Sequence, residues 1–239
     1  DAMGVLKDGG TEIDGTYKQK DANKTIDKAI ELRKKVGEIK PNGTNEIGDV
    51  FEASNKWFTE AEKNGIDLDA NTSEIKNMRI VQDTSVETWM KIIDSLGGYG
   101  TDEVRFKLGM VDSLNRQLGN ANPDHLYLSE KTKAAYNKQL PEYLTYLNAQ
   151  FYKKLDDVNL GSGVIEQLPN GSLVLHGVPR NQGIGKEMSN VIKNINHSWL
   201  AYSNLNGIEK TTQNANDFFT TYFREGFLNL FNQNSEVKT

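Results

Sequence analysis

The chain has 239 residues, 36% hydrophobic and 9% aromatic, and its 33 acidic and 28 basic side chains give a net charge of −5. This length supports one large or two small domains with a sizeable core, and the aromatic content excludes a disordered chain. Residues 1–100 hold 14 basic and 19 acidic side chains, and the remainder hold 14 of each. This balance argues against a nucleic-acid surface, which requires a basic face. No apolar run in the sequence approaches the roughly 18–20 residues that span a bilayer.

Cysteine is absent, which excludes disulfides, cysteine-bearing zinc sites and thiol catalysis. It also favours an extracytoplasmic location, meaning the periplasm, the cell surface or the medium. Residues 1–20 are polar and Gly-rich and are interpreted as a cloning scar followed by a flexible leader. Residues 21–231 are predicted to form a single helical domain, and 232–239 form a polar tail. Membrane association is expected only through a partner or through an anchor outside this sequence.

The first part of the domain shows helical periodicity. A helix is predicted over 23–39, where the Pro-Asn-Gly sequence at 41–43 ends it. The next helix, 45–64, has the clearest amphipathic pattern and ends at an Asn-Gly pair. An apolar stripe from Ile75 to Leu96 predicts one long helix, with a break at 83–85 as the alternative.

The loop before that long helix resembles the opening of a calcium-binding loop, because Asp67, Asp69 and Asn71 match its D-x-D-x-N spacing. The match stops there, since Thr72 stands where glycine is required and Met78 replaces the bidentate glutamate. The alternative is an acidic helix–helix turn in which Asn71 caps the following helix.

A helix is predicted at 102–118, where Phe106 and Met110 point away from the apolar stripe. These two side chains either meet a second layer or are exposed for a partner. After a loop at 119–128, a short helix is predicted at 129–139. Pro141 then suits the first position of a further helix over 142–155.

A β-hairpin signal interrupts the helices at 163–177. Pro169, Asn170 and Gly171 supply turn chemistry, and the aliphatic runs on either side are typical of strands. Helices are predicted again at 186–205 and 212–231. The sequence therefore predicts a mainly α fold, an irregular bundle of seven to eight helices with one β-hairpin packed on it or projecting from it.

The segment 177–187 has the strand, loop and helix order in which a phosphate-binding P-loop is found. Gly185 and Lys186 are present, but Arg180 stands where the first glycine is required and Glu187 replaces the hydroxyl residue. A nucleotide site is therefore not expected. Arg180 and Lys186 remain candidates for a weak anion site at a helix N-terminus.

His125, His176 and His197 lie far apart in the sequence, and none belongs to a zinc-binding motif. Motifs for nucleophilic catalysis are also absent. Because no zinc-binding motif and no complete P-loop are present, neither a metal nor a cofactor is expected. An enzymatic site would have to assemble in three dimensions only. The first candidates for its lining are His176, Arg180, Lys186 and Glu187.

The last predicted helix is rich in aromatic residues and apolar around more than half of its circumference. Such a helix is buried on several sides, lies on a membrane or docks a partner. The sequence therefore favours a non-enzymatic protein-binding or structural domain of a bacterial extracytoplasmic component, such as a surface lipoprotein or a secretion apparatus. A secreted effector or enzyme is the alternative. The expected partner is a protein, and the candidate partner-binding residues are Phe106, Met110, Leu168, Asn170, Phe218 and Phe227.

Overall fold

The computed structural model of the protein describes residues 19–38, 44–101, 104–157, 164–178 and 183–232. These residues confirm the mainly α fold with a β-hairpin. The α-helices are α1 (Gln19–Glu38), α2 (Thr44–Lys63), α3 (Ser73–Ser95), α4 (Val104–Asn120), α5 (Glu130–Asp157), α6 (Gly183–Asn206) and α7 (Thr212–Tyr222). The strands are β1 (Val164–Gln167), β2 (Leu173–His176) and β3 (Phe231–Asn232), and 3₁₀ helices cover Pro123–His125 and Phe227–Leu230.

The chain divides into two compact units. Unit 1 comprises Asp1–Ser95 and Ala121–Ala135, and unit 2 comprises Leu96–Asn120 and Tyr136–Thr239. The single domain over 21–231 stays a prediction, as do the leader and the tail. Residues 1–18 and 233–239 lie outside the described residues.

Unit 1 is built on α3, against which both α1 and α2 pack. The apolar stripes of these helices face inward, because apolar residues at a period of about 3.6 align on one helix face. Their shared core contains Ala29, Leu32, Val36, Val50, Phe58, Met78 and Val81. A second cluster, Ala61, Ile66 and Ile75, anchors the loop between α2 and α3.

The helix α3 runs without a break through 83–85, so the long helix is confirmed. Its first turn differs from the sequence prediction. Asn71 does not cap the helix, since Oγ1 of the buried Thr72 lies 3.4 Å from the Ile75 N–H and accepts from it. The helix starts one residue later than expected, and the hydroxyl of Thr72 serves the same capping role.

Farther along α3, Glu87 joins this helix to the first turn of α5. Its Oε1 atom accepts a hydrogen bond from Lys131 Nζ at 2.7 Å and pairs with Lys91 Nζ at 3.1 Å. The two lysines lower the pKa of the Glu87 carboxyl, and the same pairing raises the pKa of Lys131. Because both lysine side chains are largely exposed, the cluster stabilises unit 1 only modestly.

In unit 2, α4 and α6 pack against each other and share buried polar contacts with α5. Asn115 in α4 donates Nδ2–H to Ser198 Oγ in α6 at 3.2 Å, and its Oδ1 accepts from the Tyr136 hydroxyl at 2.8 Å. All three residues are buried, so these bonds satisfy polar groups that would otherwise be unpaired in the core. Burial also raises the pKa of the Tyr136 hydroxyl.

The helix α5 is continuous over 28 residues, whereas the sequence analysis placed two helices there. Pro141 lies inside it. A proline in a helix interior removes one N–H donor and crowds an earlier carbonyl, at a cost of about 3 kcal/mol. The helix continues because it buries one face on both sides of the exposed proline. That face consists of Tyr136, Leu140, Leu144, Leu147 and Phe151.

The hairpin predicted at 163–177 is present, with β1 and β2 antiparallel and Ile165 opposite Leu175. The sheet has a third strand that the sequence did not predict. β3 pairs in parallel with β1, Phe231 lies opposite Ile165, and the strand order is β2–β1–β3.

The helix predicted for 212–231 is wrong in its second half, since α7 ends at Tyr222. Phe223 has an extended backbone, and Gly226 has a φ of +86°. The chain therefore folds back, and the aromatic side chains converge instead of spreading around one helix. The Phe223 and Phe227 rings stack with centroids 4.4 Å apart, and Phe227 contacts Phe231 and Phe151, each at 5.0 Å.

Candidate functional site

Unit 1 contains an open pocket of about 350 Å³. Its walls come from three segments: the last turn of α2, the loop between α2 and α3, and the 3₁₀ turn with the residues that follow it. Four carboxylate residues lie in these walls, Glu62, Asp67, Asp69 and Asp124. The remaining lining residues are Ile66, Leu68, His125 and Tyr127.

The 3₁₀ turn is specified by its sequence. The Asn122 side chain accepts from the Asp124 N–H at 3.1 Å, and Pro123 follows at the first helical position. Asparagine and proline favour these places because asparagine bonds its own downstream backbone and proline presets φ. The turn thereby presents Asp124 and His125 together.

A buried glutamine holds this turn against α3. Gln82, with no exposed surface, donates Nε2–H to the His125 carbonyl at 2.9 Å and to Asn55 Oδ1 at 2.7 Å. Its Oε1 atom accepts the Tyr127 N–H at 2.6 Å. Because an unsatisfied buried amide costs roughly 1–3 kcal/mol, these bonds fix the position of His125.

The acidic loop is held on the opposite wall. The Asp67 carboxylate accepts the Asp69 N–H at 3.0 Å, as in an Asx turn. Arg79 donates a hydrogen bond to the Leu68 carbonyl, and its guanidinium lies 4.3 Å from the centroid of the Tyr127 ring. Arg79 therefore ties the acidic loop to the residue two positions after His125.

His125 is 2% exposed. Its Nδ1 atom lies 3.4 Å from Thr59 Oγ1, and the Thr59 hydroxyl donates to the Asn55 carbonyl at 3.1 Å. Since that hydroxyl proton is already used, Thr59 faces the ring as an acceptor, and on this ground we assign the imidazole proton to Nδ1. Within the part of the chain that the structure describes, the Nε2 atom has no hydrogen-bond partner, although Glu62 Oε2 lies 3.1 Å away.

This arrangement collects negative charge and hydrogen-bond acceptors, with a small apolar and aromatic surface beside them. It is suited to hold a positively charged group. Among the described residues, no group of three or more His, Cys, Asp or Glu side chains is placed to hold a metal ion. Asp67 and Asp69 thus line a pocket, while Asn71, the third residue of the calcium pattern, is exposed and is not among its lining residues.

The sequence pattern does not connect Glu62, Asp124 and His125 with Asp67 and Asp69. A local signal is present in the Asn-Pro-Asp-His sequence at 122–125, which specifies a tight turn. Nothing in the local pattern indicates that a residue near position 125 returns to the α2–α3 loop. That proximity depends on Gln82 in α3.

Three of the apolar residues predicted to bind a partner lie in the core of unit 2. Met110, Phe218 and Phe227 are 2%, 3% and 1% exposed, so they pack inside the unit and offer no surface to a partner in this structure. Phe106 is 43% exposed and remains available on α4.

The hairpin is packed rather than projecting. The Asn170 carbonyl accepts from Trp199 Nε1 at 2.8 Å, and the Asn196 side chain bonds both the N–H and the carbonyl of Leu173 at 2.7 Å. Leu168 is half-buried, and the Asn170 side chain is exposed. Only the outer side of the turn is therefore open to a partner.

The structure describes three of the four residues predicted for the weak anion site and the hypothetical enzymatic pocket, namely His176, Lys186 and Glu187. Arg180 lies outside the described residues, and Lys186 is exposed near the start of α6. Glu187 pairs with Lys154, and His176 pairs with Glu166 on the hairpin surface at 2.7 Å. Glu187 and His176 therefore each have an ion-pair partner that explains their position.

His197 contacts a carboxylate in unit 2. Its Nδ1 atom lies 2.9 Å from Asp112 Oδ1, and Lys193 Nζ lies 4.0 Å from the other carboxylate oxygen. The pair connects α4 to α6. Nearby, burial raises the pKa of Tyr143.

Comparison with known proteins gives no relative, since the chain matches no family model, no curated protein and no solved structure. Within the described ranges, no helix has both the length and the apolar content of a membrane span.

Proposed function

We propose that this chain is a non-enzymatic protein-binding domain of a bacterial extracytoplasmic component and that it binds its partner through the acidic pocket of unit 1. The observation that carries this proposal is the convergence of four carboxylate residues from three segments around the buried His125. A surface of this kind complements a basic surface, and such complementarity steers association and selects the partner.

The pocket favours binding over catalysis because its charges are solvated. The Glu62 side chain is 63% exposed, and Asp67, Asp69 and Asp124 are exposed as well. Carboxylates that act as catalytic acids or bases usually lie in water-excluded surroundings that perturb their pKa values. The support for the extracytoplasmic location is the absence of cysteine from the sequence.

The test is affinity capture with matched variants. The immobilised chain is incubated with cytosolic and envelope fractions of the source cell, and bound proteins are identified by mass spectrometry. The double variant Asp67→Asn, Asp69→Asn removes two pocket charges while keeping the oxygen that accepts the Asp69 N–H. The control variant Asp49→Asn, Glu52→Gln removes two charges from exposed positions of α2.

We expect one stoichiometric envelope protein to be retained by the native chain and by the control, and to be lost with the pocket variant. A partner retained equally by all three chains would place the binding surface elsewhere. Recovery of nothing from either fraction would contradict the protein-binding function, and recovery only from cytosol would contradict the location.

A further inference from the structure

We propose that the pocket of unit 1 binds a single basic side chain, arginine or lysine, of the polypeptide partner. The inference rests on the proposed function and specifies what the partner must insert. It is carried by the Nε2 atom of His125, which has no hydrogen-bond partner among the described residues, and by the carboxylates around it.

Two hydrogen-bond acceptors, His125 Nε2 and Glu62 Oε2, lie side by side in the pocket. With its proton on Nδ1, toward Thr59, His125 presents a lone pair at Nε2. Glu62 Oε2 lies 3.1 Å from that atom and also accepts, and the pair has no hydrogen-bond geometry. A cationic N–H donor placed beside both atoms would satisfy both at once.

The walls of the pocket carry negative charge. Asp67, Asp69 and Asp124 add three carboxylates to the same walls, so the pocket repels anions and attracts cations. Hydrogen bonds from a charged donor to a carboxylate are roughly twice as strong as neutral ones. A ligand that carries its N–H groups on a positive centre fits this lining better than a neutral amide.

The size and the apolar lining of the pocket also fit a basic side chain. The pocket volume of about 350 Å³ lies near the lower end of the ~300–1,000 Å³ of ordinary ligand sites. It exceeds what a bare ion fills, and Ile66 and Leu68 offer apolar surface to an alkyl stem. Basic side chains combine such a stem with a charged head.

The test uses small probes and nuclear magnetic resonance on the full ¹⁵N-labelled chain. The probes are the Nα-acetyl methylamides of arginine, lysine and citrulline, of which citrulline matches arginine in shape but is neutral. Amide shifts report the binding site, and the ring nitrogen shifts of the histidines report the role of Nε2. His176 and His197 serve as internal controls, because they lie on the hairpin and in α6 of unit 2.

We expect saturable shifts with arginine or lysine, in the millimolar range typical of a single side chain, at residues 67–69 and 124–127. The His125 Nε2 resonance should move, and those of His176 and His197 should not. The Asp67→Asn, Asp69→Asn variant should weaken binding roughly three- to tenfold, as two solvated charges predict. The Asp49→Asn, Glu52→Gln variant should bind like the native chain.

Three results would overturn the inference: equal shifts with citrulline, no saturable shift with either basic probe, or a protonated Nε2 in the free protein. The last would mean that His125 pairs with Glu62 by itself. The probe and capture experiments fail separately. If capture depends on the pocket but the basic probes do not bind, the function stands and the ligand class is wrong. If the probes bind but no partner depends on the pocket, the preference of the pocket for a basic group stands. The proposed function is then wrong, and so is the polypeptide partner as the source of that group.

Discussion

At the scale of single residues, unit 1 contains two buried polar side chains with opposite roles. Gln82 uses both ends of its amide to hold His125, Tyr127 and Asn55. Glu74, at the start of α3, has no exposed surface, and neither carboxylate oxygen has a hydrogen-bond partner among the residues that the structure describes. The first residue positions the pocket, whereas the second is a cost to stability.

Replacing Glu74 with methionine should therefore stabilise the protein. The N-terminus of α3 returns up to about 2 kcal/mol to a nearby carboxylate that is shielded from solvent, whereas a buried unsatisfied polar group costs roughly 1–3 kcal/mol, and more when charged. We expect Glu74→Met to raise the free energy of unfolding by about 1–2 kcal/mol in urea denaturation. The same change at the exposed Glu52 of α2 should have little effect. A loss of stability at position 74 would show that the carboxylate is satisfied in solution.

The pocket shows which part of a site the sequence can predict. The acidic turn at Asp67 and Asp69 was visible because turn chemistry is local. The burial of His125 was not, since a histidine after an Asn-Pro-Asp turn reads as a surface residue. Its environment depends on Gln82, whose position in sequence is 43 residues away. Contacts over such separations leave no periodic signal.

At the scale of elements, the sequence predicted the helices and the hairpin but placed a helix boundary at Pro141 and extended the last helix beyond Tyr222. Pro141 was interpreted as a helix start, although the burial of α5 on both sides outweighs the local cost of a proline. The aromatic run after Tyr222 kept a helical pattern, yet Gly226 turns the chain so that Phe231 joins the sheet. In both places tertiary packing overrides the local preference.

The hairpin turn packs closely on α6 and α7 at Gly171. A comparison with Gly226, which has the same backbone conformation, separates the effect of packing from that of the backbone. Gly171 and Gly226 both have a φ of +86°. A Cβ atom at Gly171 would lie 2.2 Å from Ala215 Cβ, whereas at Gly226 the nearest atom is Asn229 Nδ2 at 4.0 Å. The two sites therefore share the backbone strain but differ in the space available.

We expect Gly226→Ala to destabilise the protein by about 1–2 kcal/mol, the cost of a left-handed backbone for an L-residue. Gly171→Ala should cost about 1–3 kcal/mol more, since it also forces the turn away from Ala215. Urea denaturation of the two variants, followed by tryptophan fluorescence, measures the difference. Equal losses would show that the turn stands clear of the helices.

At the scale of the whole molecule, the net charge of −5 acts over a longer distance than any contact in the pocket. Long-range attraction of a basic partner raises the association rate, whereas short-range contacts set mainly the dissociation rate. The two contributions respond differently to salt, because mobile ions screen separated charges far more than groups in contact.

Association with the captured partner should therefore slow as salt rises. Between about 0.1 and 1 M NaCl the Debye length falls from ~10 to ~3 Å, and we expect the association rate constant to fall about tenfold with a smaller change in dissociation. Surface plasmon resonance measures both constants. The Asp67→Asn, Asp69→Asn variant should show a shallower salt dependence, since it carries two fewer negative charges at the pocket. The Asp49→Asn, Glu52→Gln variant reduces the negative net charge by the same amount without changing a lining residue. If the two variants responded alike, total charge rather than the pocket would guide the encounter. An association rate insensitive to salt would mean that the partner does not approach through the acidic surface.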